Sequence, residues 1–264
     1  ATTLVFNDAL SSDDRAAIET YLSALPSSGL APTDISGLDL WLKFNTGIAG
    51  ASNTTAAGNM SDDEVIHSWA DQAGNHNAAQ AVDTRRPNWE DATTDISFNG
   101  DNDYFDLASN VEIDANEDFT IMVRHKFSNF DASYALIGHA PTDVLKVNSN
   151  TSIASKIEDT GASTVWTETG GLVLATDVYY IFTLVRSGGS DGFLKMYVDG
   201  GDHNDKSWDD AHDYQDADAF TLSNIGSAAD TVLNPIGFMR DVTVWKTALN
   251  AGQRTSMYSY INGQ

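Results

Sequence analysis

Three neighbouring stretches of sequence decide the fold: WADQAGNHNAAQ (69–80), ISFNGDNDYFDL (96–107) and EDFTIMVRHKF (117–127). Each combines alternating apolar residues with Gly, Asn, Asp or a flanking polar segment, which is typical of short β-strands joined by turns. The second stretch holds an Asn99-Gly100 pair between two apolar segments. Asn-Gly favours the tight turn of a β-hairpin, so we predict adjacent antiparallel strands with a hairpin at this pair.

The third stretch has a different character on each face of its predicted strand. Successive side chains of a strand point to opposite faces. One face carries Phe119, Ile121, Val123 and His125, and the other carries Thr120, Met122, Arg124 and Lys126.

Further alternating segments follow along the chain, and alternating helices do not separate them. These segments are Leu38–Phe44, Val65–Trp69, Tyr134–Gly138, Val144–Val147, Ile153–Ile157, Thr164–Thr167, Tyr179–Val185, Phe193–Val198, Phe220–Ile225 and Gly237–Trp245. The highly charged stretch 200–219 is predicted to be a polar loop. Many short strands separated by turns predict an all-β fold of two packed antiparallel sheets.

The pattern resembles the concanavalin A-like lectin/glucanase (laminin G-like) superfamily. The similar motifs are W-x-D-x-x-G at 69–74, F-x-G-x-x-D-Y-x-x-L at 98–107 and L-x-x-Y-V-D-G at 194–200. The likeness also includes a closing strand and short helix over 236–261, and it extends over roughly 39–262. It implies a jelly-roll sandwich with a short C-terminal helix.

The two ends of the chain are similar to each other. The aligned pairs are Val5 with Val244, Ala9 with Ala248, Leu10 with Leu249, Arg15 with Arg254 and Tyr21 with Tyr260. We interpret this as a short internal repeat of a strand and a capped helix, with the cap at Ser11 and Asp14 in the first copy and at Asn250 and Gln253 in the second. It divides the chain into an N-terminal strand–helix arm (1–25), a Pro/Ser/Gly-rich linker (26–37) and the sandwich (38–264).

Three explanations of the arm remain open. It is the remnant of a tandem array, a device that docks on a neighbouring subunit, or an unrelated amphipathic helix with a similar cap. In the docking case its apolar residues would make the contact: Phe6, Leu10, Ile18, Tyr21 and Leu22.

The charge excludes one class of partner. The chain has 38 acidic and 14 basic residues, for a formal net charge of −24 at pH 7, whereas nucleic-acid binding needs Lys/Arg patches. The chain has no cysteine, which excludes disulfides and thiol catalysis. No stretch approaches the roughly 20 apolar residues of a membrane helix, so membrane insertion is not expected.

One segment has the spacing of catalytic carboxylates. Glu112, Asp114 and Glu117 reproduce the E-x-D-x-x-E spacing of laminarinase-type glycosidases, which retain configuration with two carboxylates. Because the segment directly precedes the strand that begins near Phe119, we expect it in a turn and not across a cleft. The sequence also lacks a G-x-S-x-G motif and an H-x-x-x-H zinc spacing. We predict that the protein is not an enzyme, with a laminarinase-like glycosidase as the distant alternative.

Two tips rich in Asn and Asp are candidates for calcium, since hard cations need clustered oxygen atoms. The candidate ligands are Asn99, Asp101, Asp103, Asp199 and Asp202. The resemblance favours calcium, because some sandwiches of the superfamily bind it on such loops. A solvated turn is the alternative, because Asn, Asp and Gly also favour turns.

Carbohydrate recognition would need an exposed aromatic ring beside polar groups. The candidates in polar segments are Trp89, Trp166, Trp208 and Tyr214. Packing on the same domain or at a subunit contact is the alternative. The remaining tryptophans lie in strand motifs and are predicted to be structural: Trp41, Trp69 and Trp245.

The sequence thus predicts a surface interaction protein, extracellular or on a virion. A phage decoration or fibre component, or part of an extracellular fibre, is the favoured form, with other protein subunits as partners. The alternative is a lectin or adhesin module that binds a cell-surface glycan. Both hypotheses rest on analogy of fold.

Overall fold

The computed structural model describes twelve ranges of the chain. They are 30–50, 60–90, 92–93, 95–115, 117–139, 143–159, 162–168, 172–187, 193–199, 201–207, 219–227 and 234–263, with side chains left out at 156–159, 162–168, 193 and 201–207. The predicted arm and its residues, Phe6, Leu10, Ile18, Tyr21 and Leu22, lie outside these ranges.

Within these ranges the chain forms seventeen β-strands, one α-helix and two short 3-10 helices. The strands are β1 (Leu38–Leu42), β2 (Ile48–Gly50), β3 (Ile66–Trp69), β4 (Ala78–Ala79), β5 (Asn88–Glu90), β6 (Asp95–Asn99), β7 (Phe105–Ile113), β8 (Phe119–Phe127), β9 (Tyr134–His139), β10 (Asp143–Ser149), β11 (Ser152–Asp159), β12 (Ala162–Glu168), β13 (Tyr179–Ser187), β14 (Phe193–Val198), β15 (Gly201–Ser207), β16 (Phe220–Ile225) and β17 (Ile236–Trp245). The helix is α1 (Ala251–Asn262), and the 3-10 helices are Pro32–Asp34 and Asp83–Arg85.

The strands form two antiparallel sheets, which confirms the predicted all-β sandwich. The first sheet has eight strands in the order β15-β14-β13-β8-β17-β6-β5, with β1 also paired to β17. The second has nine strands in the order β12-β11-β10-β9-β16-β7-β4-β3-β2. β6 and β1 lie end to end along one side of β17, since residues 236–239 pair with β6 and residues 242–245 with β1.

The core lies between the sheets and confirms the predicted faces of β8. Phe119, Ile121, Val123 and Phe127 are buried in the main apolar cluster. The alternate residues Thr120, Met122, Arg124 and Lys126 therefore lie on the outer face of the first sheet, turned away from this core. The tryptophans predicted to be structural are buried: Trp41, Trp69 and Trp245.

The predicted hairpin at Asn99-Gly100 is wrong, because the strands on either side belong to different sheets. β6 pairs with β5 and β17, whereas β7 pairs with β4 and β16. Gly100 does adopt the positive φ of +84° that Asn-Gly indicated. The turn carries the chain across the sandwich, so that Phe98 and Phe105 meet edge to face in the core, with ring centroids 6.2 Å apart.

The predicted loop over 200–219 contains a strand. β15 pairs in antiparallel register with β14, at the edge of the first sheet. Backbone hydrogen bonds form the ladder, so a polar sequence can extend a sheet where one strand is left unpaired. Side-chain alternation, the signal used for the other strands, was therefore missing here.

Helix α1 closes the sandwich by packing on the outer face of the first sheet. The predicted cap is confirmed, since the Asn250 side chain accepts from Gln253 N and the Gln253 side chain accepts from Asn250 N. The buried cluster beneath the helix consists of Ile35, Met122, Ile181, Trp245, Leu249, Met257 and Ile261. Ile35 brings the described end of the predicted linker into this cluster, so that end is packed on the sheet.

The carboxylate of Asp71 joins the loop after β3 to β1. Its two oxygens accept five backbone N–H groups at 2.8–3.1 Å, those of Trp41, Ala73, Gly74, Asn75 and His76. Burial alone would raise the pKa of Asp71, but these hydrogen bonds outweigh it and lower the pKa. The Asp of the W-x-D-x-x-G motif is therefore a structural anchor.

The described part of the chain contains no helix with the length and apolar character that a membrane crossing requires.

Candidate functional site

A row of three side chains crosses β13, β8 and β17 on the outer face of the first sheet, near the C-terminal end of β8. Lys126 of β8 lies opposite Tyr179 of β13 on one side and opposite Phe238 of β17 on the other. Its ammonium nitrogen is 4.9 Å from the Tyr179 ring centroid and 4.1 Å from that of Phe238. The cation is therefore held between two aromatic rings.

A β-bulge in β17 adds a second cation to this face. Met239 pairs with His125 and Asp241 pairs with Arg124, which leaves Arg240 as the extra residue. Met239 and Val242 lie in the core, so the bulge turns both Arg240 and Asp241 outward. Without it, strict alternation would place one of these two charged side chains in the core.

Arg240 is held by a buried carboxylate and two rings. Its guanidinium forms an ion pair with Asp95, which is fully buried and also accepts a hydrogen bond from the Tyr179 hydroxyl. The guanidinium carbon lies 4.3 Å from the Tyr179 ring centroid and 4.5 Å from that of Phe44. Burial and the Asp95 contact raise the pKa of Tyr179, so its hydroxyl stays protonated and donates.

Arg124 and Asp241 form a more deeply buried layer beside this row. Arg124 donates to the carbonyl of Ile261 at 2.6 Å, at the C-terminal end of α1, and stacks 5.0 Å from the Tyr179 ring centroid. Asp241 accepts from Phe44 N at 3.1 Å. Burial raises the pKa of Asp241 to about 6, although the nearby cations oppose this.

We call this group the cation–aromatic patch; it consists of Phe44, Arg124, Lys126, Tyr179, Phe238 and Arg240. Phe44, Lys126, Tyr179, Phe238 and Arg240 are partly exposed. The patch offers aromatic ring surface for an apolar face of a ligand and positive charge for an anionic group. Sequence reasoning missed it, because its members come from four separate segments of the chain.

The predicted sugar-binding residues do not form a described site. The prediction for Trp89 is wrong, since its side chain is 1% exposed in the core and a buried ring cannot stack on a sugar at the surface. For Trp166 the structure describes the backbone, which pairs with Ser155. Trp208 and Tyr214 lie outside the described residues.

The predicted calcium ligands have other roles where they are described. Asp103 accepts from Asn99 N at 2.9 Å, and Asp101 N donates to Asn99 Oδ1 at 2.7 Å, so these side chains hold the turn. Burial raises the pKa of Asp103 to about 6. Asp199 accepts from Ile181 N at 2.8 Å, and the side chain of Asp202 is not described. Among the described residues, no three His, Cys, Asp or Glu side chains are grouped to hold a metal.

The two end carboxylates of the glycosidase-like spacing make local contacts on different elements. Glu112 belongs to β7, not to the turn as predicted, and accepts from the Thr221 hydroxyl of β16 at 2.8 Å. Glu117 follows β7 and accepts from Asp114 N at 3.2 Å. The structure thus gives each carboxylate a partner in its own neighbourhood.

A serine, a histidine and an aspartate also meet beside the middle of β7. His76 Nδ1 lies 3.0 Å from Ser109 Oγ and 2.8 Å from Ser109 O, and its Nε2 lies 3.4 Å from Asp39. Ser109 Oγ donates to Asn75 O at 2.8 Å. Because the serine hydrogen is already donated, His76 Nδ1 acts as a donor to Ser109 and not as its base. The contacts join β1, the Asp71 loop and β7.

No protein-family model and no curated protein matches this chain. Among solved structures, the botulinum neurotoxin serotype D ligand-binding domain in complex with N-acetylneuraminic acid matches with a TM-score of 0.55 and 16% identity, over 85% of this chain and 51% of that one. The botulinum neurotoxin type G receptor-binding domain matches with a TM-score of 0.52 and 13% identity, over 85% and 51%. A Trypanosoma rangeli sialidase matches with a TM-score of 0.52 and 13% identity, over 85% and 32%.

These likenesses show a shared fold, and the chain spans about half the length of the toxin domains and a third of the sialidase. They also correct the prediction that the protein is not an enzyme. About a third of a sialidase chain shares the fold, and one structure of that sialidase is a covalent intermediate with 2,3-difluorosialic acid. The fold therefore occurs in chains that catalyse a reaction and does not exclude catalysis here.

Proposed function

We propose that this chain is a carbohydrate-recognition module of the concanavalin A-like, laminin G-like type, and that the cation–aromatic patch is its glycan site. The main observation behind this proposal is the row of Tyr179, Lys126 and Phe238 on the outer face of the first sheet. A sugar ring presents an apolar C–H face and polar edges, and this row offers aromatic surface and a hydrogen-bond donor within one ring width.

The scaffold around the row supports such a role. Both flanking strands pair with β8, so the three side chains stand on neighbouring strands of one sheet. Tyr179 is fixed by the buried Asp95, and Arg124 is fixed by the end of α1. A site on strands whose side chains are already held loses little conformational entropy on binding.

The structural likenesses agree with this proposal. The matched botulinum serotype D domain is in complex with N-acetylneuraminic acid, and the matched sialidase is in complex with 2,3-difluoro-KDN. The resemblance of the sequence to lectin-like sandwiches supports the same class of ligand. The support is of fold only and does not locate the site.

A glycan array tests the proposal on the full chain. Phe238→Ala should weaken the binding shown by the unmodified protein. Val173→Ala changes a side chain that is 76% exposed and is not a member of the patch, so it should leave binding unchanged. Thermal melting checks that both variants fold, and release of free sugar from bound glycans detects turnover. An array on which the unmodified chain binds no glycan contradicts the proposal.

The other sequence predictions stay predictions. An extracellular or virion-surface location, a decoration or fibre role and subunit contacts through the arm rest on residues 1–25 and on analogy. The glycan roles of Trp166, Trp208 and Tyr214 and the binding of calcium also stay open. Deletion of 1–25 followed by light scattering tests the assembly role. Trp166→Ala and Trp208→Ala on the same glycan array test the predicted glycan roles of these two residues.

A further inference from the structure

We infer that the cation–aromatic patch selects sugars that carry a carboxylate, with the Lys126 ammonium as the carboxylate contact. This inference rests on the proposed glycan-binding function and specifies its ligand class. The ligand is a sugar acid of the nonulosonic or uronic type, and the two share a carboxylate attached to the sugar ring.

The charge distribution is the first argument. The chain has 14 basic residues against 38 acidic ones, so an anionic ligand meets repulsion over most of its surface. Four of the 14 lie at this one place, Lys43, Arg124, Lys126 and Arg240, where they act together on Asp241 or stack on the patch rings. Among the described residues, the carboxylates that pair with or act on these arginines are Asp95 and Asp241, so the four cations outnumber them.

The ion pairs and hydrogen bonds of the individual cations identify Lys126 as the carboxylate contact. Arg240 is paired with Asp95 and donates to the carbonyl of Thr93 at 3.3 Å. Arg124 is buried and donates to Ile261 O. Lys126 contacts rings but pairs with no carboxylate among the residues that the structure describes.

The position of the acidic groups sets the side from which the ligand approaches. Beyond Asp95, Glu90 has a pKa raised by burial and by Asp62, Asp63 and Asp95, so negative charge borders the patch on the β5 side. Lys126 stands on β8, across β17 from β6 and β5, and Phe238 of β17 lies directly opposite it. A carboxylate is therefore best placed on Lys126, with the sugar ring against Phe238.

The aromatic neighbours make this lysine suited to the task. Two rings within 5 Å limit the positions of an otherwise flexible side chain, so less conformational entropy is lost when it binds. A carboxylate on the ammonium forms a charge-assisted hydrogen bond, which is stronger than a bond between neutral groups. A neutral sugar keeps the ring contact and loses this bond.

Isothermal titration calorimetry tests the inference with two probes, N-acetylneuraminic acid and glucuronic acid, each beside its uncharged methyl ester. The unmodified chain should bind at least one acid about tenfold more tightly than its ester, as expected for loss of one hydrogen bond to a charged group. Lys126→Gln should bind acid and ester alike, and Lys126→Arg should restore the preference. The matched control, Lys146→Gln on the second sheet, should behave as the unmodified chain.

The outcomes separate this inference from the proposed function. Phe238→Ala should weaken binding of acid and ester equally, because it removes the ring contact and leaves the ammonium. Equal binding of acid and ester by the unmodified chain overturns the carboxylate inference while glycan recognition stands. A preference that persists in Lys126→Gln overturns the role of this residue. Absence of binding to both probes and to every glycan of the array overturns both proposals.

Discussion

Replacing Asp71 by asparagine changes one oxygen to an amino group, and we expect a large loss of stability. The two carboxylate oxygens share five backbone N–H donors, two on Oδ1 and three on Oδ2. In either orientation of an asparagine amide, its NH2 group faces at least two of these donors and cannot accept from them. In one orientation the loop after β3 loses its bond from Trp41 N of β1, and in the other it loses the three bonds from the loop's own backbone.

The size of the loss follows from the number and exposure of the donors. Leaving a buried donor without a partner costs about 1–3 kcal/mol. Gly74 and Asn75 are exposed and can bond to water, so the expected total is about 2–4 kcal/mol, a substantial part of the roughly 5–15 kcal/mol that holds a domain folded. For a chain of this size, 1 kcal/mol lowers the melting temperature by roughly 2–4 °C.

Urea unfolding followed by tryptophan fluorescence measures the effect at pH 7. The matched control is Asp101→Asn, an exposed aspartate whose substitution should cost less than about 0.5 kcal/mol. Because the folded pKa of Asp71 is lowered, its stabilisation is complete above the unfolded value and is lost as the pH falls through the folded pKa. The difference in free energy of unfolding between wild type and Asp71→Asn should therefore become smaller below about pH 4. Equal unfolding midpoints for the two variants at pH 7 would refute the anchoring role.

Four further substitutions test the packing and the helix cap. Burial lowers the pKa of His125 to about 3, so below about pH 6.5 the unfolded chain binds a proton at this residue and the folded chain does not. The free energy of unfolding of wild type, relative to that of His125→Leu, should therefore fall by about 1.4 kcal/mol per pH unit below about pH 6.5, measured by urea unfolding between pH 8 and 5. Gly237→Ala should prevent folding or cost more than about 3 kcal/mol, because φ is +117° and the new Cβ would lie 2.0 Å from Lys126 O. Gly74→Ala, with φ of +105° and open space, should cost only about 1 kcal/mol of backbone strain, and similar losses for the two glycines would contradict this explanation. Asn250→Ala should cost about 1 kcal/mol in thermal melting, and an unchanged melting temperature would show that the cap adds nothing.

Much of the fold could be predicted because its signals are local. The alternation in β8, the cap at Asn250 and the closing strand each depend on residues a few positions apart, and all three are confirmed. The partner of a strand depends on distant segments, so the turn at Gly100 was correctly placed while the predicted hairpin was wrong. Strand β15 was missed because backbone hydrogen bonds form it without apolar alternation.

The candidate site was less accessible to sequence reasoning. Arg124 and Lys126 on one strand face, in a chain with 14 basic residues, were a usable signal. Their aromatic partners could not be found in this way, because Tyr179 and Phe238 reach them only through pairing with β13 and β17. Sugar binding was predicted instead for aromatic residues in polar segments, and one of these, Trp89, is buried.

The sequence by itself determined which side chains of each strand share a face, because the period of two is a property of the local backbone. It also determined that the protein is strongly acidic, with 14 basic residues against 38 acidic ones. Only the tertiary structure decided that Lys126 lies between two rings, and that a bulge turns Arg240 toward the same face. The physical reason is that strand register and bulges are set by pairing across the sheet, which brings together residues more than fifty positions apart.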